Sequence, residues 1–177
     1  MSEQELLLYK TLGNFMTENL FWRLLYLDNV NFETPLSSYT KNKLLNMDKS
    51  FENIITRIYP KKEANELVFA VNKYNQLFIA YVDAFISNHP DANALKLQWE
   101  DSGQRIAHLL CKLNPYWHKT EWCAMIGHES QLLDSIATNL KTRNYAAFVN
   151  TAPICRRLAI DMAEYLSAGI VKQRRAH

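Results

Sequence analysis

The chain has 177 residues, 48% of them hydrophobic and 21% charged, enough to build a packed core and too apolar for wholesale disorder. Twenty Lys and Arg against 18 Asp and Glu leave a formal charge of +2, too balanced for a dedicated nucleic-acid surface. Four scattered glycines, Gly13, Gly103, Gly127 and Gly169, exclude both G-x-G-x-x-G and G-x-x-x-x-G-K-[ST] phosphate loops; with only five prolines they leave little turn chemistry for a large sheet.

Helical periodicity runs through the chain. A first helix is predicted from about Glu3 to Leu27, its inward line being Leu8, Leu12, Phe15, Asn19, Trp22 and Tyr26. Asn29 to Pro35 reads as a loop, with Thr34 as N-cap and Pro35 as the first residue of a helix reaching Asn46. Another helix is expected over Asp48 to Ile58, ended by Pro60. The next, Lys62 to Ser87, carries Leu67, Val71, Tyr74, Phe78, Tyr81 and Phe85 in line, and Asn88 to Asp91 is a turn.

A helix from Ala92 to Leu113 is predicted to break near Ser102 and Gly103, and it ends at Asn114-Pro115. The stretch Lys119 to Lys141 has the line Trp122, Ile126, Glu129, Leu133, Ile136 and Leu140. A last helix covers Tyr145 to Lys172, with Pro153 in its first turns or at a kink. The pattern predicts an all-α fold over residues 1–177 as one domain: an antiparallel bundle of four long helices with additional shorter ones. A shift of 55 residues superposes Ile54 on Leu109, Pro60 on Pro115, Leu67 on Trp122 and Val71 on Ile126. Two helix–Pro–helix repeat units follow, about 36–88 and 91–143.

Three cysteines, Cys111, Cys123 and Cys155, with no C-x-x-C, argue for reduced thiols rather than a disulfide framework or zinc ribbon. The acidic start Ser2-Glu3-Gln4-Glu5 is unlike a signal peptide, and no apolar run has the 18 residues a bilayer span needs. A cytoplasmic location is expected.

Polar residues interrupt the apolar lines near mid-helix: Asn19, Tyr74, Glu129, and Asp161 with Glu164 one turn on. In an antiparallel bundle these levels meet. With Trp22 on the same line, Asn19, Tyr74, Glu129, Asp161 and Glu164 form the candidate ligand-binding set. A buried Glu129 needs a partner, a metal or a proton, because desolvating a lone carboxylate is costly. Such a centre serves as a hydrogen-bonded layer fixing register, or as a ligand or metal site; a solvent-facing Glu129 is the remaining reading. Glu129 and Glu164 are the metal candidates.

Spacing disfavours catalysis. Neither Glu-x-x-His nor H-E-x-x-H is present, and there is no G-x-S-x-G. Cys123 and His128 are about 140° apart around a helix, so they do not form a pair. Trp22, Trp99, Tyr116, Trp117 and Trp122 read as packing rather than as a base-stacking platform, for they lack interleaved Lys and Arg. No catalytic residue is assigned.

Asn114-Pro115-Tyr116-Trp117, Trp122 and Met125, and the ending Met162 to Gln173 resemble a family of small all-helical bacterial proteins, as do Phe21-Trp22 and Asn42 to Asn46. Members often carry an acetylglutamate kinase label, which the glycine-poor helical pattern contradicts. The resemblance implies a His-rich, metal-binding centre with His at the positions of Asn19, Tyr74 and Glu129 and Asp at that of Glu164. This chain departs at all three His positions. Asn is a poor transition-metal ligand and Tyr an uncommon one.

The expected function is therefore a non-enzymatic binding or interaction module with a polar centre, taking a small ligand or protein partner or a second copy as a homodimer. No cofactor is expected. A divalent metal in a His-depleted site is the alternative. A second alternative is a nucleic-acid or membrane accessory acting through Arg156, Arg157, Lys172, Arg174 and Arg175.

Overall fold

A computed structural model describes residues 2–176. Among these residues there are seven α-helices and no strand: α1 (Glu3–Asn31), α2 (Ser37–Leu45), α3 (Met47–Ile55), α4 (Lys61–Ile86), α5 (Ala92–Leu113), α6 (Lys119–Lys141) and α7 (Tyr145–Arg175). None is long and apolar enough to cross a membrane. Five helices exceed 20 residues, not four: α5, at 22 residues, is as much a long helix as α6 with 23. Adjacent helices run antiparallel. The long helices follow the order α1, α7, α6, α5, α4, and the short pair α2–α3 closes the gap between α4 and α1.

Local chemistry accounts for the helix ends. Ser2 and Glu5 form a reciprocal capping box at the start of α1, and Asn144 Oδ1 accepts from Ala147 N at the start of α7. Arg175, at the end of α7, pairs with Glu5 at 2.7 Å and joins the two termini. α1, α4 and α6 all close on a residue in the left-handed conformation, Glu33, Asn88 and Arg143. In each case that residue's own amide and the one after it reach back to last-turn carbonyls, as Asn88 N to Phe85 O at 3.3 Å with His89 N to Ala84 O at 2.8 Å, and Arg143 N to Leu140 O at 3.0 Å with Asn144 N to Asn139 O at 2.7 Å. The chain thus closes three helices by the Schellman arrangement without glycine. These three residues lie 55 positions apart in succession, the interval that separates Pro60 from Pro115.

Two local expectations are corrected. The expected loop from Asn29 is helical to Asn31, and Thr34 is not an N-cap: its hydroxyl binds Asn29 Oδ1, and α2 begins at Ser37. The predicted break at Ser102–Gly103 does not occur. Gly103 stays helical and buried because α5 approaches its neighbours closely there. A Cβ on it would lie 2.6 Å from Ile126 Cγ2 and 3.2 Å from Tyr74 Cε2.

All seven helices contribute to one hydrophobic cluster. Trp99, fully buried on α5, packs against Tyr74, Phe78 and Tyr81 of α4 with ring centroids 5.2–5.6 Å apart. The Asn114-Pro115-Tyr116-Trp117 turn is locked from several sides. Asn114 Nδ2 donates to Tyr59 Oη at 2.9 Å, and Trp117 Nε1 donates to the Tyr165 carbonyl at 3.3 Å. Trp117 packs directly against Gly169, where a Cβ would be 1.9 Å from its Nε1. These motif residues fix the α5–α6 turn against α7.

Candidate functional site

The middle of the bundle is spanned by polar side chains from three helices: Asn19 and Arg23 of α1, Tyr74 and Asn75 of α4, Glu129 and Ser130 of α6. α1 and α4, like α4 and α6, approach each other less closely than sequential neighbours do, so long side chains bridge the interior. Arg23 Nη1 meets Glu129 Oε1 at 2.8 Å, with side-chain exposures of 6% and 12%. Arg23 Nη2 donates to Asn75 Oδ1 at 2.9 Å, and the guanidinium carbon lies 4.9 Å from the Tyr74 ring centroid. The Tyr74 hydroxyl donates to Glu129 Oε2 at 3.3 Å and lies 3.0 Å from Ser130 Oγ.

Arg23 is the partner that a buried Glu129 requires. The pair is neutral overall, and its remaining valences are largely used by Asn75, Tyr74 and the Tyr74 ring. Burial first, then the Glu129 charge, holds the Tyr74 phenol well above the ordinary tyrosine range, so it stays a donor at neutral pH. The same two causes push the Cys155 thiol up to about 11, and burial raises Cys111 as well. Neither thiol has the lowered pKa that a nucleophile needs.

A cavity of about 70 Å³ lies against this layer. Asn19, Arg23, Tyr74 and Glu129 form its polar side, and Phe15, Leu67, Val71, Ile106, Leu110 and Ile126 are among its apolar walls. Three residues on its lining carry buried polar atoms with no hydrogen-bond partner within the chain: Asn19 Oδ1, Arg23 Nε and Trp122 Nε1. Such an atom costs about 1–3 kcal/mol each when left unsatisfied.

Of the six candidates from the sequence, Asn19, Tyr74 and Glu129 line this cavity together. Trp22, Asp161 and Glu164 do not. Trp22 is half-buried on the outer side of α1, donating to Glu18 at 3.2 Å beneath Lys43. Asp161 pairs with Arg157 one turn earlier at 2.9 Å, and Glu164 is exposed. Instead α7 contributes Met162 and Leu166 to the lining. Arg23 was missed because spacing alone does not separate it from Trp22: both fit the interval between Asn19 and Tyr26. The usable signal was Glu129 itself, whose burial demands a cation.

The residues do not fit a metal centre. Among the described residues no three His, Cys, Asp or Glu side chains converge to hold an ion. Glu129 is already bound by a guanidinium, and Glu164 lies away from it. No family model, curated protein or solved structure matches the chain.

Proposed function

We propose that the protein is a ligand-binding helical bundle whose site is the central cavity. The observation that carries this reading is the cavity itself, a mostly apolar space in the bundle centre with Asn19, Arg23, Tyr74 and Glu129 among its lining residues. Small-molecule sites are concave and mostly apolar with a few convergent polar groups, which is the make-up of this lining. The cavity's 70 Å³ is about half the ~150 Å³ of an engineered cavity that admits benzene with its six carbons, so the matching guest has about three non-hydrogen atoms, four at most. At a ceiling of about −1.5 kcal/mol per atom, such a guest binds with a Kd no tighter than tens of micromolar. The protein then acts as a low-affinity sensor or carrier rather than as a scavenger.

The test is a titration of the ¹⁵N-labelled full chain with a panel of molecules of three to six non-hydrogen atoms. Binding shifts the Trp122 indole N–H resonance saturably, with the peak assigned by its loss in Trp122→Phe. If no member of the panel moves that resonance, the reading is wrong.

A further inference from the structure

We infer that one end of the bundle docks on an anionic lipid bilayer. Four segments form that end: residues 2–10, 56–63, 112–121 and 172–176, where α1, α4 and α6 begin and α3, α5 and α7 finish. Direct contacts tie the segments together. Arg175 pairs with Glu5 at 2.7 Å, and Tyr59 donates to Gln173 Oε1 at 3.0 Å. Gln173 Nε2 donates to the Leu113 carbonyl at 3.4 Å, and Asn114 Nδ2 donates to Tyr59 at 2.9 Å.

Charge singles this end out. Its segments hold nine Lys and Arg against four Glu, whereas the whole chain nets only +2. The opposite end, residues 28–38, 83–93 and 138–148, holds four Asp and Glu against two cations. The bundle is thus polarised along its length, and an anionic plane turns the basic end towards itself. Among the described residues, Arg175 alone of the nine cations has an ion-pair partner. Arg57, Lys61, Lys62, Lys172 and Arg174 are exposed, so their charges face outward rather than being neutralised within the fold.

The apolar side chains at this end decide the class of partner. Leu7 is 65% exposed and Leu6 39%, for in the run Leu6-Leu7-Leu8 only Leu8 enters the core. Leu7 borders an open groove with Ile54, Arg57, Ile58 and Arg174, so aliphatic side chains and guanidinium groups share one surface. Nucleic acid binding draws on cations and stacking aromatic rings, and exposed leucines add little to it. An acidic bilayer uses both: cations meet the headgroups while leucine side chains enter the boundary with the acyl chains. No described helix is long and apolar enough to cross a membrane, so the attachment is peripheral. Arg156 and Arg157 lie near the middle of α7, away from this end, and Arg157 pairs with Asp161.

The experiment sediments the full chain with vesicles of equal parts phosphatidylglycerol and phosphatidylcholine, and with phosphatidylcholine alone, at low and high salt. Binding to the acidic vesicles at low salt is expected, weakened about tenfold or more by high salt or by omitting the acidic lipid. Arg57→Gln/Arg174→Gln should weaken it about tenfold or more, and Leu7→Gln about threefold or more. All three side chains are exposed, and unchanged far-UV spectra verify that the variants fold. Duplex DNA, titrated under the same conditions, should bind more weakly than the acidic vesicles and be indifferent to Leu7→Gln. The proposal is overturned if the acidic vesicles do not bind at low salt, if phosphatidylcholine binds as well, or if Leu7→Gln leaves vesicle binding unchanged. DNA binding tighter than vesicle binding would overturn it too, and would assign the basic end to a nucleic acid instead.

Discussion

Removing the Glu129 carboxylate while leaving Arg23 in place should be among the most damaging single changes this fold can suffer. Opposite unit charges at close range attract by about 4 kcal/mol at an effective dielectric constant near 20. That attraction offsets the desolvation of two ions whose side chains are 6% and 12% exposed. In Glu129→Ala, Arg23 keeps only Asn75 and the Tyr74 and Phe78 rings, and Tyr74 keeps only Ser130. The expected cost is about 3–5 kcal/mol, a large share of a typical 5–15 kcal/mol. Glu129→Gln keeps one acceptor, its Oε1 for Arg23, while its NH₂ can donate to Tyr74 Oη, and it should cost less than Glu129→Ala, about 1–3 kcal/mol.

The double variant Arg23→Met/Glu129→Leu supplies the decisive comparison. It removes the stranded charge, so it should be more stable than Glu129→Ala alone despite changing more of the core. Urea unfolding followed by far-UV circular dichroism measures all four proteins, with midpoints compared at constant m. A Glu129→Ala protein within about 0.5 kcal/mol of wild type would refute the buried-pair account. A double variant weaker than Glu129→Ala would show that the damage does not come from Arg23 left without its counter-charge.

Gly169→Ala drives a methyl into Trp117 and should cost about 3 kcal/mol or more, visible as loss of near-UV signal and a lowered melting temperature. Gly13→Ala, with nothing within 4 Å of the new Cβ, should instead stabilise α1 by about 1 kcal/mol in the same assay. Arg143→Gly should stabilise by about 1 kcal/mol, since a side chain in the left-handed conformation is strained there, and a thermal melt reads this directly. Alkaline pH should unfold the protein cooperatively. Burial raises Tyr26, Tyr74 and Tyr81, and lifts Tyr59 to about 12, above the usual value of 10. Their protons are released more readily by the unfolded chain, so their stabilisation is complete below pH 10 and is lost as pH rises towards 12; at pH 11 each contributes about 1.4 kcal/mol less. Absorbance at 295 nm should show these phenols ionising only with the far-UV unfolding transition; a separate earlier titration would contradict their burial.

Much of the fold was legible because helix-period burial is a repetitive signal. In the α6 line Trp122, Ile126, Leu133, Ile136 and Leu140 are buried and Glu129 is partly so; in the α4 line Leu67, Tyr74, Phe78 and Tyr81 are buried, while Val71 and Phe85 are half-buried. The errors fell where one residue has two defensible environments. Thr34-Pro35 looks like a helix start, yet Thr34 serves the end of the preceding helix. Gly103 looks like a break, yet its lack of a Cβ admits Ile126 and Tyr74. At the site, the inward line of α1 takes in Trp22 and passes over Arg23, although a cation whose head lies over the Tyr74 and Phe78 rings fits the interior when a carboxylate faces it. Asp161 and Glu164 flank the inward face of α7 rather than lie on it: Met162 and Ala163, between them, are the buried pair.

The cavity itself has a cause in side-chain size. Positions 19, 74 and 129 succeed one another at intervals of 55 residues, and all three line it. Tyr74 and Glu129 reach across to each other, at 3.3 Å. Asn19 is the shortest of the three, and its carbonyl finds no partner in the chain. Room is left on the α1 side, where Phe15 and Met16 border the same space. Arg23, one turn further along α1, crosses to α6 in its place and carries the charge that Glu129 needs. A hydrophobic residue at position 19 would close the space and remove an orphaned acceptor, and apolar replacement of a buried polar group of similar size is commonly neutral or stabilising. Packing alone therefore gives no reason for an asparagine there. On the proposal that the cavity binds a ligand, the asparagine is there for the guest.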